Sequence, residues 1–120
     1  MLRPIPSILL NQMGVLHIPT NINAFQAVEY NDVELNKIHL QDTNVLKVTA
    51  DNQEIMLKSI LFIDCRLSSP QFDYSQLMSQ AETLGTSLRI TINGLEYNIL
   101  TVDAIPNVPS GIHHYELGLV

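Results

Sequence analysis

The chain has little of what supports disulfide, metal or cofactor chemistry. Its 120 residues include one cysteine, no tryptophan and only six basic side chains. A single cysteine, Cys65, excludes an intramolecular disulfide and a zinc site built from several thiolates. Its neighbours Phe62, Ile63 and Asp64 favour a buried structural thiol over a reactive one.

Export and membrane signals are also missing. The start, MLRPIPSILL, has a short apolar stretch and two early prolines, unlike a secretory signal. No apolar run approaches the roughly 18 residues that span a bilayer. We therefore expect a soluble protein that is made inside a cell and has no membrane partner.

The charge balance bears on nucleic acid. Twelve acidic and six basic side chains give a formal net charge of −6. Tight binding through phosphates requires clustered lysine and arginine, whereas here these residues are scattered singly. The composition therefore argues against tight DNA binding.

The length fits one domain over residues 1–120, with an extended N-terminal arm of about residues 1–7. The arm contains Arg3, Pro4, Ile5 and Pro6, and each proline fixes φ and disfavours helix before it. A frayed terminus is the alternative interpretation.

The strongest local pattern lies in residues 87–102, SLRITINGLEYNILTV. Asn93-Gly94 stands between two alternating apolar runs, which predicts a hairpin with a two-residue turn. Closing the turn there places Ile92 opposite Leu95 on the side that faces the core.

Strands are predicted on both sides of this hairpin. In the first half, residues 8–18 form a strand that Pro19 ends, and Asn31-Asp32 marks a turn. A bulge is expected near Asn36-Lys37.

The second half begins with a hairpin around Asp51-Asn52-Gln53. Residues 60–63, an unbroken apolar run, predict a central strand. Residues 103–106 are interpreted as a turn, and residues 112–120 as the closing strand.

One helix of about residues 73–84 is predicted between these strands. Asp73 has the chemistry of an N-cap, with Gln76 three residues on, and Gly85 suits the C-terminal end. The fold class is therefore mainly β: a small antiparallel barrel or sandwich of six to eight strands with one short helix.

The histidines offer the first candidate chemistry. His113 and His114 are adjacent, so on a regular strand they point to opposite faces and cannot hold one metal ion unless the strand bulges. A packing or interface function is the favoured interpretation, and no metal or other cofactor is predicted.

No spacing points to catalysis. Cys65, His114 and Asp103 are residue types of a nucleophilic triad, yet nothing in their positions favours one. No phosphate-binding loop or nucleophile elbow is present. The alternative kept open is a small β-barrel enzyme or ligand-binding module that uses Cys65, His114 or the Asp64–Arg66 pair.

Four stretches in order resemble the minor capsid proteins of tailed bacteriophages and prophages, which belong to the head–tail connector set. They are the proline-flanked start at residues 3–6, the apolar strand and acid ILFID at 60–64, the hairpin NGLEY at 93–97, and the end HHYELGLV at 113–120.

The resemblance implies a structural, non-enzymatic virion protein. It would form a ring of six or twelve copies in the phage neck at the head–tail interface, acting in head completion like a stopper. It would link a portal or adaptor ring to a tail-terminator or tail protein, let double-stranded DNA pass as cargo, and be assembled in the host cytoplasm. A tail-terminator ring is the alternative.

Two sets of site residues follow from that expectation. An acidic lumen would let DNA slide past, so the hairpin tip Asp51, Asn52, Gln53 and Glu54 is predicted to face the channel, an ordinary solvated turn being the alternative. Contacts between rings or subunits are predicted for two segments: Arg3, Pro4, Ile5 and Pro6 in the arm, and His113, His114 and Tyr115 in the closing strand.

Overall fold

The computed structural model describes residues 10–44, 46–48, 52–107 and 111–120. The arm and Asp51 therefore lie outside the described residues. In chain order the elements are β1 (Gln12–Ile22), β2 (Val28–Asp42), β3 (Leu46–Val48), β4 (Glu54–Met56), β5 (Ser59–Asp64), α1 (Tyr74–Thr83), β6 (Arg89–Ile92), β7 (Leu95–Pro106) and β8 (Ile112–Leu119).

Six strands close into an antiparallel barrel in the order β1-β2-β5-β8-β7-β6. The barrel is closed by β1 and β6, which pair over residues 15–17 of β1. Strands β3 and β4 form a separate two-stranded sheet. The predicted mainly β fold, an antiparallel barrel or sandwich with one short helix, is confirmed.

The barrel interior is a packed core and not a pore. Its walls contribute fully buried side chains from all six strands, and α1 adds Tyr74 and Ala81. Small barrels of this kind are filled by side chains at the density of a protein interior. The buried apolar set from the strands is Leu16, Leu35, Ile38, Leu61, Ile63, Ile90, Ile92, Ile99, Tyr115, Leu117 and Leu119.

The predicted turn at Asn93-Gly94 is confirmed. Both residues have positive φ, 55° and 77°, and Ile92 pairs with Leu95 as expected. The placement of Leu95 in the core was wrong, because its side chain is 60% exposed whereas that of Ile92 is buried. Leu95 lies at the barrel rim, beyond the last core layer.

The first hairpin is longer than predicted. Pro19 does not end β1 but pairs with Tyr30, and β2 runs through Asn31-Asp32 without a turn. Proline is tolerated there because beyond His17 β1 pairs only with β2 among the described strands, so the missing N–H can lie on the edge away from β2, although Pro19 itself is buried.

The turn between β1 and β2 is built by Asn23. Its backbone N–H donates to the Ala27 carbonyl (2.9 Å), and its side-chain oxygen accepts from the N–H groups of Phe25 (2.9 Å) and Ala27 (3.1 Å). The bulge near Asn36-Lys37 is confirmed, because Lys37 has φ of 57° and is skipped in the pairing with β1.

The second half departs from prediction at one turn. Residues 103–106 do not turn the chain but extend β7, which pairs with β8 up to Pro106. Asp103 pairs with Glu116 of β8, and its carboxylate lies 3.3 Å from the Lys47 Nζ. Beyond Pro106, the Asn107 N–H donates to the Gly111 carbonyl (3.0 Å). The closing strand and the central strand β5, which lies between β2 and β8, are confirmed.

Helix α1 begins and ends as predicted. The Asp73 carboxylate accepts the Gln76 N–H (3.1 Å), and Gly85 follows the helix with φ of 75°. The helix packs against β7 and β1. With ten residues, it is too short to cross a membrane, and no other helix occurs in the described part of the chain.

Candidate contact surfaces

The β1–β2 hairpin extends beyond the barrel as a two-stranded ribbon. Strand β6 pairs with β1 only over residues 15–17, and β5 pairs with β2 only from Ile38 onward. We call residues 18–34 the ribbon. Its tip carries Phe25, whose side chain is 90% exposed.

One edge of the ribbon is open. Residues 28–34 of β2 pair with β1 on one side, and no other described strand pairs with them on the other. This edge ends at Asn36, which exchanges two backbone hydrogen bonds with Ser69 (2.8 and 3.2 Å).

The ribbon is acidic and anchored at its base. Glu29, Asp32 and Glu34 are exposed, and the sequence of residues 18–34 contains no lysine or arginine. His17 fixes the base, because its Nδ1 lies 2.7 Å from Asp32 and its Nε2 lies 2.8 Å from the Thr91 hydroxyl of β6.

Strands β3 and β4 pair antiparallel, as the predicted hairpin around residues 51–53 requires, while Asp51 lies outside the described residues. We define the flap as β3, β4 and the described residues between them. Leu57, directly after β4, is buried against Gly118, and Lys47 pairs with Asp103. The flap is thereby fixed to the outer face of β7 and β8.

The flap turns an apolar face outward. Leu46, Val48 and Met56 lie on this face and are each at least half exposed. Sequence reasoning missed this surface, because strands of three residues are too short to show clear alternation. An exposed apolar patch on a folded domain is typical of a protein contact site.

The tip of the flap is polar as expected. Asn52, Gln53 and Glu54 are exposed, and Asn52 has φ of 64°. Over residues 46–58, which add Leu57 and Lys58 to the flap, the sequence has two lysines and two acids, so this stretch is balanced in charge. Its position relative to a channel stays a prediction.

An open groove of about 500 Å³ lies between α1 and β7. Met78 and Ala81 of the helix form one side, Leu100 and Thr101 form the other, and Val48 of the flap reaches its end. The groove continues the apolar face of the flap onto the barrel.

The histidine pair adopts the arrangement that a regular strand forbids. The Nδ1 atoms of His113 and His114 lie 2.7 Å apart, because the pairing of β8 with β7 shifts between Ile105 and Pro106 and bulges the strand at His113. One Nδ1 must donate and the other accept. His114 Nε2 in turn lies 3.0 Å from the Glu116 carboxylate. Within the described ranges, no group of three metal-ligating side chains occurs.

The predicted contact residues of the closing strand are mostly buried. Tyr115 is 5% exposed and packs edge-on against Tyr74, with ring centroids 5.1 Å apart. His113 is buried and His114 is half-buried. Tyr115 is therefore a core residue whose side chain is not at the surface, while the arm residues Arg3, Pro4, Ile5 and Pro6 lie outside the described range.

The residues of the alternative enzyme interpretation do not form a catalytic arrangement, although Asp64 and His114 are cross-strand partners in the pairing of β5 with β8. Burial, and then the adjacent Asp64 carboxylate, raise the pKa of the Cys65 thiol, which is opposite to what activates a nucleophile. The Asp64 carboxylate instead accepts the backbone N–H groups of Arg66 (2.7 Å) and Leu67 (2.9 Å), which closes the loop after β5. Asp103 pairs with Lys47.

The comparisons with known proteins give one match. A family model described as minor capsid protein matches residues 7–119. No curated protein and no solved structure matches the chain.

Proposed function

Because the chain belongs to the minor capsid protein family, and is thus a structural component of the bacteriophage virion, we propose that it forms a ring in the phage neck. The ring would complete the DNA-filled head, connect the portal or adaptor ring to a tail-terminator or tail protein, and let the genome pass. The family match over residues 7–119 is the observation that carries the proposal.

The packed barrel indicates that the functional unit is a ring of several copies and not a single copy. Because side chains fill the barrel interior, DNA cannot pass through one copy. A passage must lie between copies that are arranged around an axis. Six or twelve copies are the numbers that we propose.

The ribbon and the flap supply the contacts that such a ring requires. Copies around a rotation axis meet through two different surfaces, one on each neighbour. The chain has two projecting elements, one with Phe25 at its tip and one with the apolar face of the flap. They provide distinct surfaces that could face a neighbouring copy or the rings above and below.

The charge of the chain suits passing DNA. A net charge of −6 per copy is compatible with a lumen that repels phosphates and does not hold the genome. Within the proposal, the flap tip with Asp51, Asn52, Gln53 and Glu54 faces the channel.

Deletion of the gene from the phage tests the proposal. We expect filled or leaking heads without tails, beside complete free tails, when lysates are examined by negative-stain electron microscopy. A plasmid copy of the wild-type gene should restore virions. Tails of abnormal length would indicate the tail-terminator position, and a normal virion yield would refute a neck function.

The assembly state tests the ring directly. Native mass spectrometry of the purified chain, alone and with a portal ring, should show a defined multiple of the 13.5 kDa subunit. A chain that remains a monomer in both samples and is absent from purified particles would refute the ring.

A further inference from the structure

The open edge of the ribbon is a site where a further strand can pair. Along residues 28–34 of β2, alternate residues direct their N–H and C=O groups away from β1. Seven residues of strand make an edge roughly 23 Å long. Such an edge accepts an extended segment through backbone hydrogen bonds.

The charge of the ribbon restricts which segment can occupy the edge. Glu29, Asp32 and Glu34 line it, so pairing with the same edge of another copy would bring acids against acids. A segment with a basic side chain is favoured.

The N-terminal arm has this chemistry. Arg3 is the one lysine or arginine among the first 36 positions of the sequence. Pro4 and Pro6 are two residues apart, so on a strand both lack their N–H on the same edge, while Arg3, Ile5 and Ser7 keep theirs on the other. The arm can therefore pair on one side only, and its proline side prevents addition of a further strand.

We propose that residues 3–7 of one copy pair as a strand with the open ribbon edge, residues 28–34, of the next copy. This inference rests on the proposed ring and names the contact that joins neighbouring copies. Three inward-facing residues exchange roughly six backbone hydrogen bonds with the edge. Arg3 then lies among the acids of the ribbon.

The extended length of the arm and the heterologous type of the contact are both compatible with a ring. Nine residues precede Leu10, which is buried in the barrel, and when extended they span about 30 Å. The arm and the ribbon edge are different surfaces of the chain, so the contact is heterologous and can repeat from copy to copy until the ring closes.

Cross-linking between two differently tagged chains tests the pairing. One chain carries Ile5→Cys and the other Asn31→Cys, both with Cys65→Ala, and a short bismaleimide is added to the concentrated mixture and to assembled particles. We expect a product that contains both tags. A matched pair in which Glu82→Cys replaces Asn31→Cys should give none, because Glu82 is exposed on α1 and away from the ribbon.

Two proline variants with native Cys65 test that the contact is a strand. Ile5→Pro removes an inward N–H and should lower assembly, measured by native mass spectrometry and by incorporation into particles, roughly tenfold. Pro4→Ala changes the outer edge and should assemble like the wild type. Equal loss in both variants would overturn strand pairing.

Charge reversal supplies an independent check. Glu29→Lys with Glu34→Lys should weaken assembly, and Arg3→Glu added to that chain should restore it. A chain that carries both cysteines and gives only an internal cross-link, while the mixed chains give none, would show that the arm occupies its own ribbon and would overturn the proposal. Rings that form normally without residues 2–6 would overturn it too and leave the neck function standing, whereas a wild-type chain absent from particles would refute the neck function itself.

Discussion

The hydroxyl of Tyr74 is buried where helix α1 meets the barrel, and it has no hydrogen-bond partner within the part of the chain that the structure describes. The residue is 1% exposed, and its ring packs edge-on against Phe72 and Tyr115. Burial is the largest cause that raises the pKa of this phenol, followed by the nearby Cys65 thiol and the Tyr115 phenol. The change Tyr74→Phe removes the hydroxyl and keeps the ring contacts.

The expected effect is a gain in stability. A buried polar group without a partner costs about 1–3 kcal/mol, and removal of one oxygen leaves only a small void. We therefore expect Tyr74→Phe to raise the free energy of unfolding by about 1–2 kcal/mol, or the Tm by roughly 4–8 °C for a domain of this size.

Tyr115→Phe is the matched control, because it removes the same group from the adjoining ring. The backbone N–H of Tyr74 donates a hydrogen bond to the Tyr115 phenol, so its loss should destabilise the fold by about 1 kcal/mol. Urea unfolding and calorimetry at pH 7 measure both variants. If Tyr74→Phe lowers stability as much as Tyr115→Phe does, the Tyr74 hydroxyl is bonded and the reasoning is refuted.

Four further predictions concern the thiol, the alkaline limit, the flap and the channel. Cys65 should react with iodoacetamide at pH 8 about tenfold more slowly in the folded than in the unfolded chain, since its pKa is raised; equal rates would contradict this. The raised pKa values of Cys65, Tyr74 and Tyr115 mean that folding favours their neutral forms, so stability should be constant through neutral pH and fall above about pH 9, and a flat curve to pH 11 would be contrary to it. Gly118→Ala should destabilise the fold by about 1–3 kcal/mol in urea unfolding, because its Cβ would meet the Thr101 side chain and lie 2.9 Å from Leu57, and Thr101→Ala should recover part of the loss. Asp51→Lys with Glu54→Lys should slow genome ejection in a fluorescence release assay while Glu82→Lys does not, and unchanged ejection kinetics would remove the flap tip from the channel.

Features that depend on neighbouring residues could be predicted from the sequence. The turn at Asn93-Gly94 needs two positive φ angles, and the helix start at Asp73 needs one side-chain acceptor. A few adjacent residues therefore determine both features. The bulge at Lys37 was found because the apolar parity changes there.

Features that depend on distant partners could not. Pro19 and Asn31-Asp32 have the local chemistry of breaks, yet the two strands pair across both of them, and this pairing joins residues outside the short window in which those signals are judged. The extension of β7 through residues 103–106 likewise depends on its pairing with β8. The meeting of His113 and His114 needs a shift of one residue in pairing, which no property of the two histidines encodes.

The barrel pairs all of its strand edges, whereas the ribbon leaves one strand edge unpaired among the described strands. Closing six strands into a barrel leaves no open edge over the barrel, which protects a small β protein from pairing with other chains. The same chain extends two of those strands past the barrel, where most side chains are exposed or half-buried and one edge of β2 leaves backbone groups open. Acidic side chains along that edge oppose its pairing with itself but not with a segment that carries arginine. The barrel is closed without this edge, and the acidic side chains along the edge disfavour some partners and favour others. These two properties are expected of a surface used in assembly.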